Sequence, residues 1–370
     1  MTPRIKKIAK AIIAVLVIAG LIWATLKGVQ QWNAQRDAVL AEVAELDQQI
    51  ESLPEGPQRE RLMIERARTR QRVPELSQLD LSQLLFAAGL YALGLIPGGM
   101  VLRESTRVLG YRVPVSVAVS SQTIGHLGKY VPGKAMVVVI RAGRLNGWGV
   151  PAVAASVAVF LETILMMAVG AALAGGLIFL LPVPRWIAWT ALLGGLAAAL
   201  PTVPPLLRRI VSRVGAKPMA IDGPERRVND PDDGAAGSES PKSGAEFGHD
   251  WRFFLCGWGW QLCAWVLIGA AFACVTASVP GEWEGASKLP TGVFLAASIA
   301  SMALAMVVGF ASLLPGGAGV RELTLALLLG PVVGPSQALL AAILARGVFI
   351  VVEVLAAALA TWWARPIPSG

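Results

Sequence analysis

Charge is scarce in this chain. Only 15% of its 370 residues are Asp, Glu, Lys or Arg, where an average soluble domain carries about 25%. Histidine is nearly absent, with His126 and His249 the only two. That leaves little material for a nitrogen-ligated metal centre. Cysteine is limited to Cys256, Cys263 and Cys274. They form no CxxC pair and fall in one apolar stretch, so they read as small packing residues of a span. The chain holds no Walker A loop, no nucleophile elbow and no metal-ligand cluster, which leaves ATP-driven and hydrolytic mechanisms without support.

What the chain has instead is apolar length. Hydrophobic residues make up 55% of it, and its mean hydropathy is +0.61. Charged residues collect in a few stretches, with apolar runs between them that reach the roughly 20 residues a bilayer crossing needs. The net charge of +8 and pI of about 9.8 would suggest nucleic acid in a soluble protein. Here Lys and Arg sit beside spans, where they set topology and meet anionic headgroups, so no nucleic-acid partner is expected.

The pattern predicts an all-α, polytopic transmembrane bundle of about 7–8 spans, with two Pro/Gly-broken segments that re-enter and an extramembrane helical hairpin. Residues 1–27 read as an N-terminal anchor. Residues 1–10 hold Arg4, Lys6, Lys7 and Lys10 and no acid, and the apolar run over 8–26 that overlaps them is long for a signal peptide. An uncleaved span with a cytoplasmic N-terminus is expected. Residues 28–80 are polar, and Val39, Val43, Leu46, Ile50 and Leu53 repeat at steps of four and three, the spacing of a coiled coil. With the turn at Pro54-Glu55-Gly56-Pro57 and the Arg-rich stretch 58–72, this reads as a helical hairpin, a solvated cap or an oligomer contact. Residues 81–364 form the membrane domain. Spans are expected at 81–102, 151–181, 186–206, 251–279, 291–314 and 337–363, with a mobile polar loop at 207–250.

Topology follows from the basic loops. Arg103, Arg107 and Arg112 fall inside after two spans. The segment 208–227, with six basic residues against two acidic, also falls inside if residues 113–140 re-enter. The loop with Glu282 and Glu284 then lies outside. The outer hairpin is in tension with this scheme, since it carries seven Arg, although ten acidic residues outnumber them. The side of the C-terminus depends on the two broken segments.

Eight charged residues stay within or against apolar segments: Lys129, Lys134, Arg141, Glu162, Arg321, Glu322, Arg346 and Glu353. A charge at membrane depth costs at least about 2.5–3.5 kcal/mol, so such residues normally face a bundle interior or a wet cavity and pair there. Glu162 and Glu353 stand in the longest apolar surroundings, and Arg346 shares a helix face with Glu353, two turns away. Each carboxylate reads either as half of an internal ion pair that locks helices or as a substrate-path or coupling group. Arg141 and Arg321 also fit snorkelling at a span's flank.

The two broken segments resemble one another. Lys129-Tyr130-Val131-Pro132-Gly133-Lys134 is followed by Arg141, and Leu313-Leu314-Pro315-Gly316-Gly317 by Arg321-Glu322. After each comes a span with a central carboxylate. Paired Gly/Pro-interrupted segments point to a transporter binding site, because backbone groups at a helix break can hold a ligand. The five cations of the set against three carboxylates suit an anionic phosphate headgroup.

At these residues the chain resembles the lysylphosphatidylglycerol synthase transmembrane (flippase) family. The stretch 128–134 with Arg141, and Leu314-Pro315-Gly316-Gly317-Ala318-Gly319-Val320-Arg321-Glu322 with Arg346, look like its two signature regions. The resemblance covers roughly residues 80–364. It implies a protein of the bacterial inner membrane that moves or binds lipids. The leading reading is a lipid translocator without a cofactor, with Lys129, Pro132, Gly133, Lys134, Arg141, Glu162, Pro315, Gly316, Gly317, Arg321, Glu322, Arg346 and Glu353 at the cavity. Membrane lipids with an anionic headgroup are the expected partners. The soluble aminoacyl-transfer domain of the lysyltransferase members is not expected here, nor is the hairpin at 28–80 accounted for. Two other readings stand beside translocation: a scaffold that recruits envelope enzymes through the hairpin, and a lipid-modifying transferase with His126 as base.

Overall fold

The computed structural model describes residues 30, 33, 34, 36–71, 78–130, 135–213, 251–280, 290–312, 317 and 319–363. The N-terminal anchor, most of the polar loop, the Glu282/Glu284 loop, and Pro132, Gly133, Lys134, Pro315 and Gly316 lie outside the described residues. Among the described residues all regular secondary structure is helical.

Helix α1 (residues 36–52) and α2 (Pro57–Gln71) form the hairpin read from the heptad spacing. Val43, Leu46 and Ile50 are buried on one face of α1, and Arg66 of α2 reaches back to Asp47 at 2.6 Å. That pair is close to half exposed on both sides, so the apolar stripe contributes more than the ion pair.

Among the described residues five helices are long and apolar enough to cross a membrane: α3 (Leu81–Val108), α6 (Ala152–Leu177, continued by a 3₁₀ turn), α9 (Trp251–Ser278), α10 (Thr291–Ala311) and α12 (Pro335–Trp363). The shortest, α10, has 21 residues, about 31 Å at 1.5 Å per residue, which matches a hydrocarbon core of about 30 Å. Leu85, Phe86, Phe160, Leu193, Leu355, Leu359 and Trp362 stand exposed along these and neighbouring helices. In a water-soluble fold such surface would drive aggregation, whereas in lipid it is solvated.

Between the long helices lie short ones: α4 (Val115–His126), a 3₁₀ turn (Leu127–Tyr130), α5 (Ala135–Asn146) and α11 (Val320–Val333). At 12, 12 and 14 residues the three α-helices reach only about 18–21 Å. The span expected at 186–206 is also interrupted. Helix α7 (Arg185–Ala199) gives way to a 3₁₀ turn (Leu200–Thr202) and then to α8 (Pro204–Arg213). Pro201 and Pro204 each lack the N–H that a continuous helix would use there.

The helices approach closely wherever side chains shrink, the usual basis of packing in a membrane. A Cβ on Gly175 of α6 would stand 2.7 Å from the Ala191 carbonyl of α7, and one on Gly195 2.4 Å from that of Ala171. Gly269 of α9 meets the Ile299 backbone of α10 in the same way. In α3, Pro97 is followed by Gly98 and Gly99, and a Cβ on Gly99 would lie 2.5 Å from the Val119 Cα. This seam draws α4 tightly onto α3. The largest core cluster joins α3, α9, α10, α11 and α12 through Tyr91, Phe272, Met302, Leu325 and Phe349.

Candidate functional site

Helix α4 carries Gln122 and His126 one turn apart, and Lys129 follows in the 3₁₀ turn. Their spacing of four and three keeps all three on one side of the chain. This side faces two buried carboxylates from helices far apart in sequence.

The first is Glu162 of α6, 1% exposed. It accepts from Arg141 Nη1 of α5 at 2.7 Å and from Gln122 Nε2 at 2.9 Å. Arg141 is itself buried, and its stem lies where Gly125 has no side chain; a Cβ there would be 2.3 Å from Arg141 Cγ. Snorkelling is therefore not the arrangement of Arg141: the guanidinium turns inward to an acid.

The second is Glu353 of α12, 0% exposed. It accepts from Lys129, from the Tyr91 hydroxyl of α3 and, at 2.7 Å, from the Tyr130 hydroxyl. His126 Nδ1 stands 4.0 Å from the same carboxylate. One acid thus ties the start of the α4–α5 break to α3 and α12. Tyr91 is held in place by Phe349, stacked on it with ring centroids 3.7 Å apart.

A third pair stands at the start of α11. Arg346 of α12 donates to Glu322 of α11 at 2.6 Å, and Glu322 also accepts the Gly319 N–H at 2.7 Å. The latter contact caps the N-terminus of α11, which begins at a glycine with φ of 79°. Arg346 and Glu353, two turns apart on α12, thus bind different partners rather than each other.

Of the thirteen residues expected at the site, Lys129, Glu353, Arg141, Glu162, Arg346 and Glu322 form these three ion pairs. Arg321 is buried with its guanidinium 5.5 Å from the Phe349 ring. Gly317 stands at φ 64° with its backbone packed on Gly309. Pro132, Gly133, Lys134, Pro315 and Gly316 lie outside the described residues. Tyr91, Gln122 and Tyr130 were not among the expected site residues. The available signals were weak: two of the chain's three tyrosines are these two, and Gln122 belongs to the polar run Ser120-Ser121-Gln122-Thr123 inside an apolar segment.

The sequence that builds this arrangement is matched by a known family. The model of the lysylphosphatidylglycerol synthase TM region covers residues 61–357, about four-fifths of the 370 residues. The chain belongs to this family. No curated protein matches it. Membership and the five apolar helices together make it an integral membrane protein, and the family suggests a role in lipid handling. The matched region takes in every residue of the three ion pairs and most of α2, but stops short of α1.

Proposed function

We propose that this protein is a lipid translocator, without enzymatic activity of its own, that takes an anionic or lipid-linked headgroup across the bacterial inner membrane, its N-terminus cytoplasmic. The observation that carries the reading is the Glu353 junction. A carboxylate fully withdrawn from solvent is satisfied by Lys129 and Tyr130 from a helix break and by Tyr91 from a separate span. Structure alone would be served as well by apolar packing at that place, since buried ion pairs are poor sources of stability.

In this mechanism α4 and α5 enter and leave on one side, and α11 is their counterpart in the other half. The headgroup reaches the charged residues while its tails stay in the bilayer. Its negative charge competes with Glu353 for Lys129 and Tyr130, loosening the tie between the break and α12. Rocking of the two halves, or opening of a lateral groove, then exposes the group to the other leaflet. Glu162 and Glu353 balance the cations and offer places for proton coupling.

Leaflet exchange in proteoliposomes with fluorescent anionic and zwitterionic lipids tests the proposal. Wild type exchanges the anionic lipid faster than empty liposomes do, and well-folded Arg346→Ala and Glu353→Gln lose that exchange. No exchange with any lipid, or exchange untouched by both substitutions, would overturn it. The scaffold reading draws on the hairpin, where Met63 and Ile64 of the Arg-rich α2 stand half exposed. Deleting residues 30–78 separates the two, because a translocator keeps most of its activity without them.

A further inference from the structure

The three ion pairs consume three of the four cations in the described part of the cluster, and Arg321 is the remainder. Its residue is 8% exposed. Its Nη2 is buried without a hydrogen-bond partner. Residues 313–318 before it, and residues 131–134 in the other break, contain no acid that could complete it. A guanidinium withdrawn from water with no carboxylate in contact is costly at membrane depth.

The surroundings fit an incoming anion. The Phe349 ring lies against the guanidinium at 5.5 Å; packing on an aromatic face orients the planar fork and leaves its edge N–H groups for a ligand. Bare backbone borders the arginine: a Cβ on Gly309 would stand 3.4 Å from Arg321 Cβ and 3.4 Å from Gly317 Cα. Phe349 stacks on Tyr91, which donates to Glu353, so Arg321 adjoins the junction that the proposed function sets in motion. Lys129 and Tyr130 lie within its electrostatic reach.

Resting on the translocator reading, we propose that Arg321 is the docking residue for one phosphodiester monoanion, and that Arg141, Arg346 and Lys129 are not its resting-state partners because each already holds a carboxylate. Among the described residues the cluster sets four cations against three carboxylates and lacks one negative charge, the charge of a single phosphodiester. A guanidinium takes such a group through two parallel hydrogen bonds. A lipid headgroup and a soluble phosphodiester share this chemistry.

The test is native mass spectrometry of the full chain in detergent micelles, titrated with phosphatidylglycerol, with diacylglycerol, which has no phosphate, and with the deacylated, soluble glycerophosphoglycerol. Wild type should retain one phosphatidylglycerol per chain in preference to diacylglycerol. Arg321→Gln should bind it at least about tenfold more weakly, the loss expected for one charged hydrogen-bonded contact. Arg321→Lys, which keeps the charge without the fork, should fall between. Retention of glycerophosphoglycerol as tight as that of the lipid would show that the site takes the group without its tails; its absence would assign the site to lipid. Either result keeps the monoanion proposal, provided that the Gln variant loses binding.

Equal binding by wild type and Arg321→Gln would overturn the proposal while leaving translocation standing. Equal retention of phosphatidylglycerol and diacylglycerol by wild type would overturn it even if neither variant folds. Loss of binding in Arg321→Gln, in a protein that exchanges no lipid between leaflets, would keep the site and remove the translocator.

Discussion

Substituting Glu162 by Gln removes a charge and almost no volume, so what it costs reports on the Arg141 pair. The Arg141 and Glu162 side chains are 6% and 2% exposed and meet at 2.7 Å. With an effective dielectric of about 20, two unit charges at that distance attract by about 6 kcal/mol, before the cost of desolvating them. The new amide would still be able to bond Gln122, but it would leave a buried guanidinium without its counter-charge. Stranding one partner of a buried pair costs about 3–5 kcal/mol. Glu162→Gln and Arg141→Met should each destabilise by that order. The double variant should be much less damaged than their sum, with a coupling energy of at least about 2 kcal/mol. Equilibrium unfolding in mixed micelles by titration with a denaturing detergent measures all four corners of the cycle. Single losses under about 1 kcal/mol with additive behaviour, as exposed pairs show, would refute the reasoning.

Gly125→Ala places a methyl 2.3 Å from Arg141 Cγ; the buried arginine must shift, and a loss of about 1–3 kcal/mol is expected, read by the same unfolding titration. Arg346→Ala leaves Glu322, 2% exposed, with only the Gly319 N–H, and should cost about 3 kcal/mol or more. Arg346→Lys should recover part of that, whereas equal losses for Ala and Lys would count against a charge effect. At the start of α3, Asp80 accepts from the Ser82 and Gln83 N–H groups, and its bond with the Ser82 hydroxyl leads the causes that hold its carboxyl below the usual range. A depressed folded value means that its stabilising effect is present above the ordinary carboxylate range and is lost as pH falls through the lowered value. The gap in melting temperature between wild type and Asp80→Ala should therefore be largest near neutral pH and shrink toward pH ~3. A pH-independent gap would contradict the cap.

Much of the membrane architecture was legible because apolar length is a one-dimensional property. The windows around α3, α6, α9, α10 and α12 stand out from any reading in windows of about 20 residues. Glu162 and Glu353 were equally visible, each an acid alone in a long apolar stretch. Their partners were not. Arg346 lies on Glu353's own helix face, yet it turns to Glu322, while Glu353 meets Tyr130 across 223 residues. That choice depends on how α4 is seated against α3 and α12, which is decided by side-chain-free contacts such as Gly99 against Val119. Tyr91 reads in sequence as an ordinary interfacial or core aromatic. Only its stacking on Phe349 aims its hydroxyl at an acid.

The sequence by itself determined that the chain lives in a bilayer, where its long helices run, that charge was kept inside them, and which family its two broken segments resemble. Tertiary structure decided how that charge is divided. Hydropathy depends on composition along the chain, but ion pairing depends on distances of about 3 Å between elements, which the helix register and the glycine seams fix together. From that division come three closed pairs and Arg321, a buried arginine that no described residue neutralises.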